Sequence, residues 1–414
     1  MTTAYNTIFL NIYLKFKLRW RNMGKFGGTM AIAFSTFIAF MGIGVVDPLL
    51  PLIGRQMGAT PFQVEWLFTS YIAVMSLSMF ISGYFSTRFG SKRTLITGLL
   101  IVVLFSTLSG LSPNITIFAI FRGGWGLGNA FFTSTALSII VGISAGKLER
   151  SITIYEAALG LGIASGPLLG GFLGSFDWRY PFFGTATLMA IGFIVTVAFV
   201  KEPQNREKRR TPIEIIEALG NRPVRINSLI ALGYNFGFFT ILAYTPLTLS
   251  GLTTIELGIT YFLWGILVAF SSVVLVPRII RRIDRLNLLE INLLLFAIIF
   301  IVMGEFPLYR LEAIVVSGLF CGISNASFTS LAMEVSPYSR SVSSAAYNFL
   351  RWAGAAIAPI LAGFLGQTYG FSFPFFVVAP VVIVSCAALF LYAPMLRESI
   401  GTNITRRLQI SSVD

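Results

Sequence analysis

Apolar runs of membrane-crossing length recur along almost the whole chain, and nothing else in the sequence restricts the fold so much. They lie at 28–52, 63–86, 94–111, 114–143, 152–175, 181–200, 226–250, 254–276, 288–305, 310–333, 343–369 and 373–394. A bilayer core takes about 20 apolar residues per helix. Lipid cannot satisfy a free backbone amide, so each run must be helical. Of 414 residues, 55% are hydrophobic and 11% charged, against about 25% charged in a soluble protein. That composition suffices for twelve transmembrane helices and excludes a large soluble domain. The run at 114–143 is long enough to tilt or to reach into the cytoplasm.

Charge placement gives the orientation. Of 30 Lys and Arg residues, 25 fall before the first run, in the loops after the even-numbered runs, or in the tail. Arg55, Arg179 and Arg310 fall on the other side, and Arg122 and Arg351 lie within runs. This is the positive-inside pattern, with both termini expected in the cytoplasm. The net charge of +13 is therefore a topology signal and not a nucleic-acid footprint. The sequence has no histidine, and Cys321 and Cys386 sit in apolar runs. No metal site, disulfide framework or cofactor is expected, and proton chemistry falls to carboxylates. No cleavable signal peptide is read before the first run.

The two halves of the chain resemble each other. YEAALGLGIASGPLLGGFLG at 155–174 aligns with YNFLRWAGAAIAPILAGFLG at 347–366, and GLGNAFFTS at 126–134 aligns with GISNASFTS at 322–330. The basic turn STRFGSKR at 86–93 answers IRRIDR at 280–285. Such duplication is common in transporters, with the substrate site between the repeats. The expected units are a basic N-terminus (1–27), a first six-helix bundle (28–200), a linker (201–225), a second bundle (226–394) and a tail (395–414). TPIEIIEAL within the linker has a helical apolar period and predicts a short surface helix.

Three stretches carry chemistry. GYFSTRFGSKR at 83–93 sets Gly83, Arg88, Gly90, Lys92 and Arg93 around Thr87. FRGGWGLGNA at 121–130 places Arg122 about eight residues into a run, which is costly unless it is paired or hydrated. GIASGPLLGG at 162–171 sets Gly162, Gly166, Gly170 and Gly171 around Pro167. Small residues every four positions let helices touch backbone to backbone, and the proline favours a bend.

On these stretches the chain resembles the major facilitator superfamily over roughly residues 28–394, and more narrowly its twelve-span drug:proton antiporter branch. The resemblance implies the major facilitator fold, a cytoplasmic gate at 83–93, and export, because the 162–171 pattern belongs chiefly to exporters. Thr87 stands where the family has Asp, and a threonine cannot neutralise a cation. Other readings stay open at each stretch: topogenic charge at 83–93, carbonyl binding or snorkelling by Arg122, and a static tight contact at 162–171.

Sorting the 17 acids leaves Glu156 and Asp47 as the intramembrane candidates, Glu156 slightly ahead. Glu65 and Glu290 lie near span entrances. Glu156 stands one turn before the glycine face, within reach of Arg351, or else pairs with Lys147 or Arg150. Asp47 faces a cavity as a proton site, pairs with Arg122, or is hydrated near the interface. Tyr71, Tyr234 and Asn235 are candidate cavity-lining residues.

The expected protein is a multi-pass transporter of the cell (inner) membrane, monomeric and not an enzyme. It exports small amphipathic compounds by alternating access, driven by a proton gradient. The alternatives are proton-coupled uptake or facilitated diffusion of a nutrient, and, in another class, a membrane sensor or scaffold that moves nothing.

Overall fold

The computed structural model describes residues 27–143, 148–202, 212–249, 251–338 and 340–411. The basic N-terminus, Lys147 and most of the linker lie outside the described residues, as do the side chains of Thr87, Arg150 and Glu156.

The described residues are helical, with no strand among them. The elements are α1 (Gly27–Met57), α2 (Pro61–Phe89), α3 (Ser91–Gly110), α4 (Ile115–Ile143), α5 (Leu148–Gly174), α6 (Tyr180–Phe199), α7 (Pro212–Gly220), α8 (Arg222–Thr248), α9 (Thr254–Ile279), α10 (Arg285–Glu305), α11 (Arg310–Glu334), α12 (Arg340–Tyr369) and α13 (Phe373–Ser411). Nine of these, α1, α3, α6 and α8 to α13, contain segments long and apolar enough to cross a membrane. Helices α2, α4 and α5 are also long and occupy positions where spans are expected. The 114–143 run is a single helix. The last helix extends past the expected end at 394. The predicted linker helix is present as α7, whose Ala218 packs with Val224, Val342 and Ala346.

Local signals set the boundaries. Thr60 and Gln63 form a capping box that starts α2 behind Pro61, and Thr253 and Glu256 do the same for α9. These reciprocal bonds satisfy amides that have no partner within the helix. Prolines explain the irregular turns. In α1, a turn at 45–46 leads into a short 3-10 segment, Asp47–Leu49, which contains Pro48, and Pro51 follows it. Wide π turns at Thr240–Tyr244 and Ser271–Leu275 stand just ahead of Pro246 and Pro277. A proline cannot donate to the carbonyl four residues back, and a widened turn absorbs that mismatch.

Helix packing follows chain order in part: α3 lies against α4 and α6, and α10 against α11 and α13. The most extensive packings between the first six helices and the later ones are α2 with α12 and α5 with α9. One continuous buried cluster runs from α1 to α13. In lipid, apolar side chains gain little by leaving the solvent, so close packing and interhelical hydrogen bonds hold such a bundle.

A polar clamp recurs on both halves of the chain. Gly90 has φ of 97° before α3, and the Glu202 carboxylate accepts the Lys92 amide at 3.0 Å. An anion there suits the positive end of the helix. In the second half Arg397 pairs with Asp284 at 3.1 Å. Positions 92 and 284 fall in the answering turns. In the first half a carboxylate meets a backbone amide, and in the second a carboxylate meets a guanidinium. Gly90→Ala is expected to cost about 1–3 kcal/mol, because that backbone region is almost confined to glycine. A side chain there would also meet the Glu202 carboxylate at 2.9 Å. Thermal unfolding in detergent should show a larger loss for Gly90→Ala than for Glu202→Gln.

Candidate functional site

The 162–171 stretch lies on the join between the two sets of helices. Gly162, Gly166 and Gly170 of α5 face the backbone of α1 at Phe37, Met41 and Val45. Gly171 faces the opposite way, onto Thr254 and Gly258 of α9. Side chains built at Gly258 and Gly265 of α9 would come within 2.7 Å of Pro167 O and Ala164 Cα. Thus α5 is pressed between α1 and α9 with backbone against backbone. The α2–α12 join is similar. Thr69 donates to the carbonyl of Ala356 at 3.0 Å, Phe62 meets Phe364 edge-on, and Gly363 leaves room for Glu65. These contacts fall at the end of the bundle where α2 and α9 begin and α5 and α12 end.

Two carboxyl groups are sealed at that end. Asp47 sits in the proline-broken turn of α1, and Glu65 one turn into α2. Both are fully buried. Asp47 has no hydrogen-bond partner outside its own residue, and Glu65 has none at all. They are close enough to feel each other's charge. Tyr244 of α8 lies within range of Glu65, and Tyr261 of α9 within range of both acids. Asp47 is not hydrated at an interface in this conformation. Glu65 stands near a span entrance in the sequence, yet its surroundings are those of an interior acid.

Arg122 is fully buried nearby. It makes no ion pair with Asp47. Its Nε donates to Leu67 O at 3.2 Å and its Nη1 to Gly42 O at 3.3 Å. The guanidinium lies over the rings of Tyr71 and Trp125, at 4.5 and 4.8 Å. Its charge still reaches Asp47. Arg122 therefore binds α1 to α2 through carbonyls and leaves Nη2 without a partner.

The candidate cavity-lining residues are already engaged. Tyr71 is buried with its hydroxyl bonded to Asn129. Tyr234 is buried, stacks on Phe328 and donates to Cys321 O at 3.0 Å. Asn235 donates to Arg351 O at 2.8 Å. Arg351 is half-buried on α12. Its Nη1 donates to Asn325 at 2.6 Å, and its guanidinium lies over Tyr347 and Trp352. In the 83–93 turn, Arg88 donates to Tyr84 at 2.8 Å, Lys92 reaches Val197 O at 3.3 Å, and Arg93 is exposed. The carboxylate at this turn is that of Glu202, which accepts the Lys92 amide and which the sequence places only in a cytoplasmic loop. Among the described residues, no group of His, Cys, Asp or Glu is placed to hold a metal.

Residues 32–359 match the model of the Major Facilitator Superfamily, and the chain belongs to that family. It is a multi-pass membrane transporter and not an enzyme. Among its relatives, the Multidrug efflux protein YfmO of Bacillus subtilis (strain 168) is 42% identical over 362 residues, covering 87% of this chain and 91% of that one. Multidrug resistance protein 2 of the same organism is 30% identical over 42% of this chain and 44% of its own. Among solved structures, an inward-facing, unoccupied bacterial homologue of the human lysosomal transporter Spinster superposes with a TM-score of 0.78. It is 15% identical, with 91% of this chain and 98% of that one covered. A D-xylose–proton symporter gives 0.72 at 15% identity, with 89% and 97% covered. These two likenesses concern the fold.

Proposed function

We propose that the protein exports small amphipathic compounds in exchange for protons, by alternating access between two six-helix bundles at 28–200 and 226–394. In this reading twelve helices span the cell membrane, both termini are cytoplasmic, and the monomer is the working unit. The closed end, where α2 and α9 begin, then faces outward. The efflux relative at 42% identity and the glycine face of α5 support the export direction.

One observation carries the proton coupling: two carboxyl groups are sealed without partners at the join that must part when the outer end opens. Closing protein over an ionised carboxylate costs several kcal/mol. A proton delivered from outside removes that cost. The two states then differ by proton occupancy, which is what coupling requires.

The test is flux in vesicles of known orientation. Inverted vesicles with an acidic interior should accumulate amphipathic aromatic compounds several-fold over vesicles lacking the protein, and a protonophore should abolish the excess. Accumulation in right-side-out vesicles with an acidic exterior would instead establish uptake. Equal distribution with no gradient dependence would establish facilitated diffusion. No flux of any compound in either orientation would leave the sensor or scaffold reading. Glu156 keeps its place as a second candidate proton carrier, one turn before the glycine face.

A further inference from the structure

Three arginines lie inside the bundle, and their surroundings differ. Arg122 is held by two backbone carbonyls. Arg310 donates to Met303 O at 2.9 Å and to Ser372 Oγ at 2.8 Å. Arg351 donates only to the side chain of Asn325. Its Nε is buried and has no partner, and the same holds for the hydroxyl of Tyr347, a fully buried residue. No described carboxylate pairs with Arg351. The alignment of the halves places Leu159 opposite Arg351, so the repeat does not require the charge.

The geometry leaves one edge of this guanidinium without a partner, its Nε being buried. Nη1 is occupied by Asn325, and the faces by the Tyr347 and Trp352 rings, at 5.3 and 5.2 Å. What remains is the edge containing Nε, which accepts a planar anion through two parallel hydrogen bonds. Around it stand apolar rings, including Phe239, whose ring lies 5.6 Å from that of Trp352. A cation inside a membrane span without an anion is costly, and an arriving anion relieves that cost.

We propose that Arg351, with Tyr347 as a second donor and Asn325 as the brace, binds the carboxylate of an aromatic amphipathic substrate. This rests on the exporter reading and narrows its substrate class. The acids at the closed end are then left to protons and not to cationic substrates.

The test compares three probes of one scaffold: 1-naphthaleneacetate, its neutral amide, and 1-naphthylmethylamine. Equilibrium binding is measured on the purified full-length protein, and gradient-driven flux in vesicles. The carboxylate should bind at least tenfold more tightly than the amide or the amine. Arg351→Met should remove that preference, Arg351→Lys should restore part of it, and Tyr347→Phe should weaken carboxylate binding several-fold. The last two variants report even if Arg351→Met fails to fold.

Absence of carboxylate binding, or equal binding of all three probes, overturns the inference. So does a uniform loss for all three in Arg351→Met that Glu156→Gln reproduces, because Arg351 would then serve as a counter-ion. The two proposals fail separately. Arg351-dependent carboxylate binding without gradient-driven flux of any compound sinks the exporter reading and keeps the site. Gradient-driven flux of the amine, indifferent to Arg351, together with no preference for the carboxylate, does the reverse.

Discussion

Gly171→Leu abolishes transport while leaving the protein folded, if the glycine face of α5 is a moving seam. A Cβ on Gly171 would overlap Thr254 O and lie 3.0 Å from Gly258 Cα. A leucine cannot be absorbed by rotating a neighbouring side chain, because the neighbour is backbone. Overpacking of this kind costs typically about 1–3 kcal/mol. Here the cost falls only on the form in which α5 and α9 touch. A penalty near 3 kcal/mol shifts that equilibrium by about a hundredfold, toward the form whose outer end is open. Phe62→Cys reports the opening. It lies on the α2–α12 join beside Phe364, and the native Cys321 and Cys386 are buried. Gly171→Leu should sharply raise labelling at that reporter by an impermeant maleimide added from outside. Gly171→Ala should give an intermediate result. A merely static contact predicts otherwise: both substitutions would lower the Tm and leave labelling of surviving protein unchanged.

This seam was legible in the sequence because its cause is local. Small residues at 162, 166 and 170 share one helix face, and Gly171 presents a second face. Composition alone requires such a face to meet backbone. The spans and the linker helix were legible for the same kind of reason, since hydropathy and period sit within a short window. Glu65 was not legible. Thr60 and Gln63 fix the start of α2, which makes Glu65 look like an acid at the water's edge. It is buried by Gly363 on α12 and by the broken turn of α1, and no local pattern announces either neighbour. Counting from the cap would have helped, because Phe62, Glu65 and Thr69 share one face, and a lone acid on a face of that kind is a signal. The pairing of Arg122 failed for a related reason. Sequence suggests opposite charges, but carbonyls of α1 and α2 lay nearer and took two of its donors. Glu202 was hidden because it serves a helix that begins about a hundred residues earlier. Arg351 was visible as a charge in a span, whereas its unpartnered edge depends on Asn325 and Tyr347 arriving together.

The sealed acids give the other large effect. Glu65→Gln should abolish the gradient-driven excess, while exchange without a gradient stays within a few-fold of wild type. Glutamine has nearly the shape of the protonated side chain and never ionises. The outer end can therefore close over it whether or not a proton has arrived, and closing no longer carries a proton inward. Asp47→Asn should uncouple similarly. The double variant separates two arrangements. In one, the two groups are coupled strongly enough to exchange protons as a pair, and one lost member disables both. The effects should then fail to add, with Asp47→Asn/Glu65→Gln no worse in coupling than the poorer single variant. Additive losses would mean two independent proton sites. Unchanged coupling in Glu65→Gln would exclude Glu65 from the pathway and return the question to Asp47 and Glu156. The same assay on the wild-type protein, run in inverted vesicles across a series of lumenal pH values, fixes the sign: accumulation must rise as the lumen, which is the cell's outer side, is acidified, since that is where the closing proton enters.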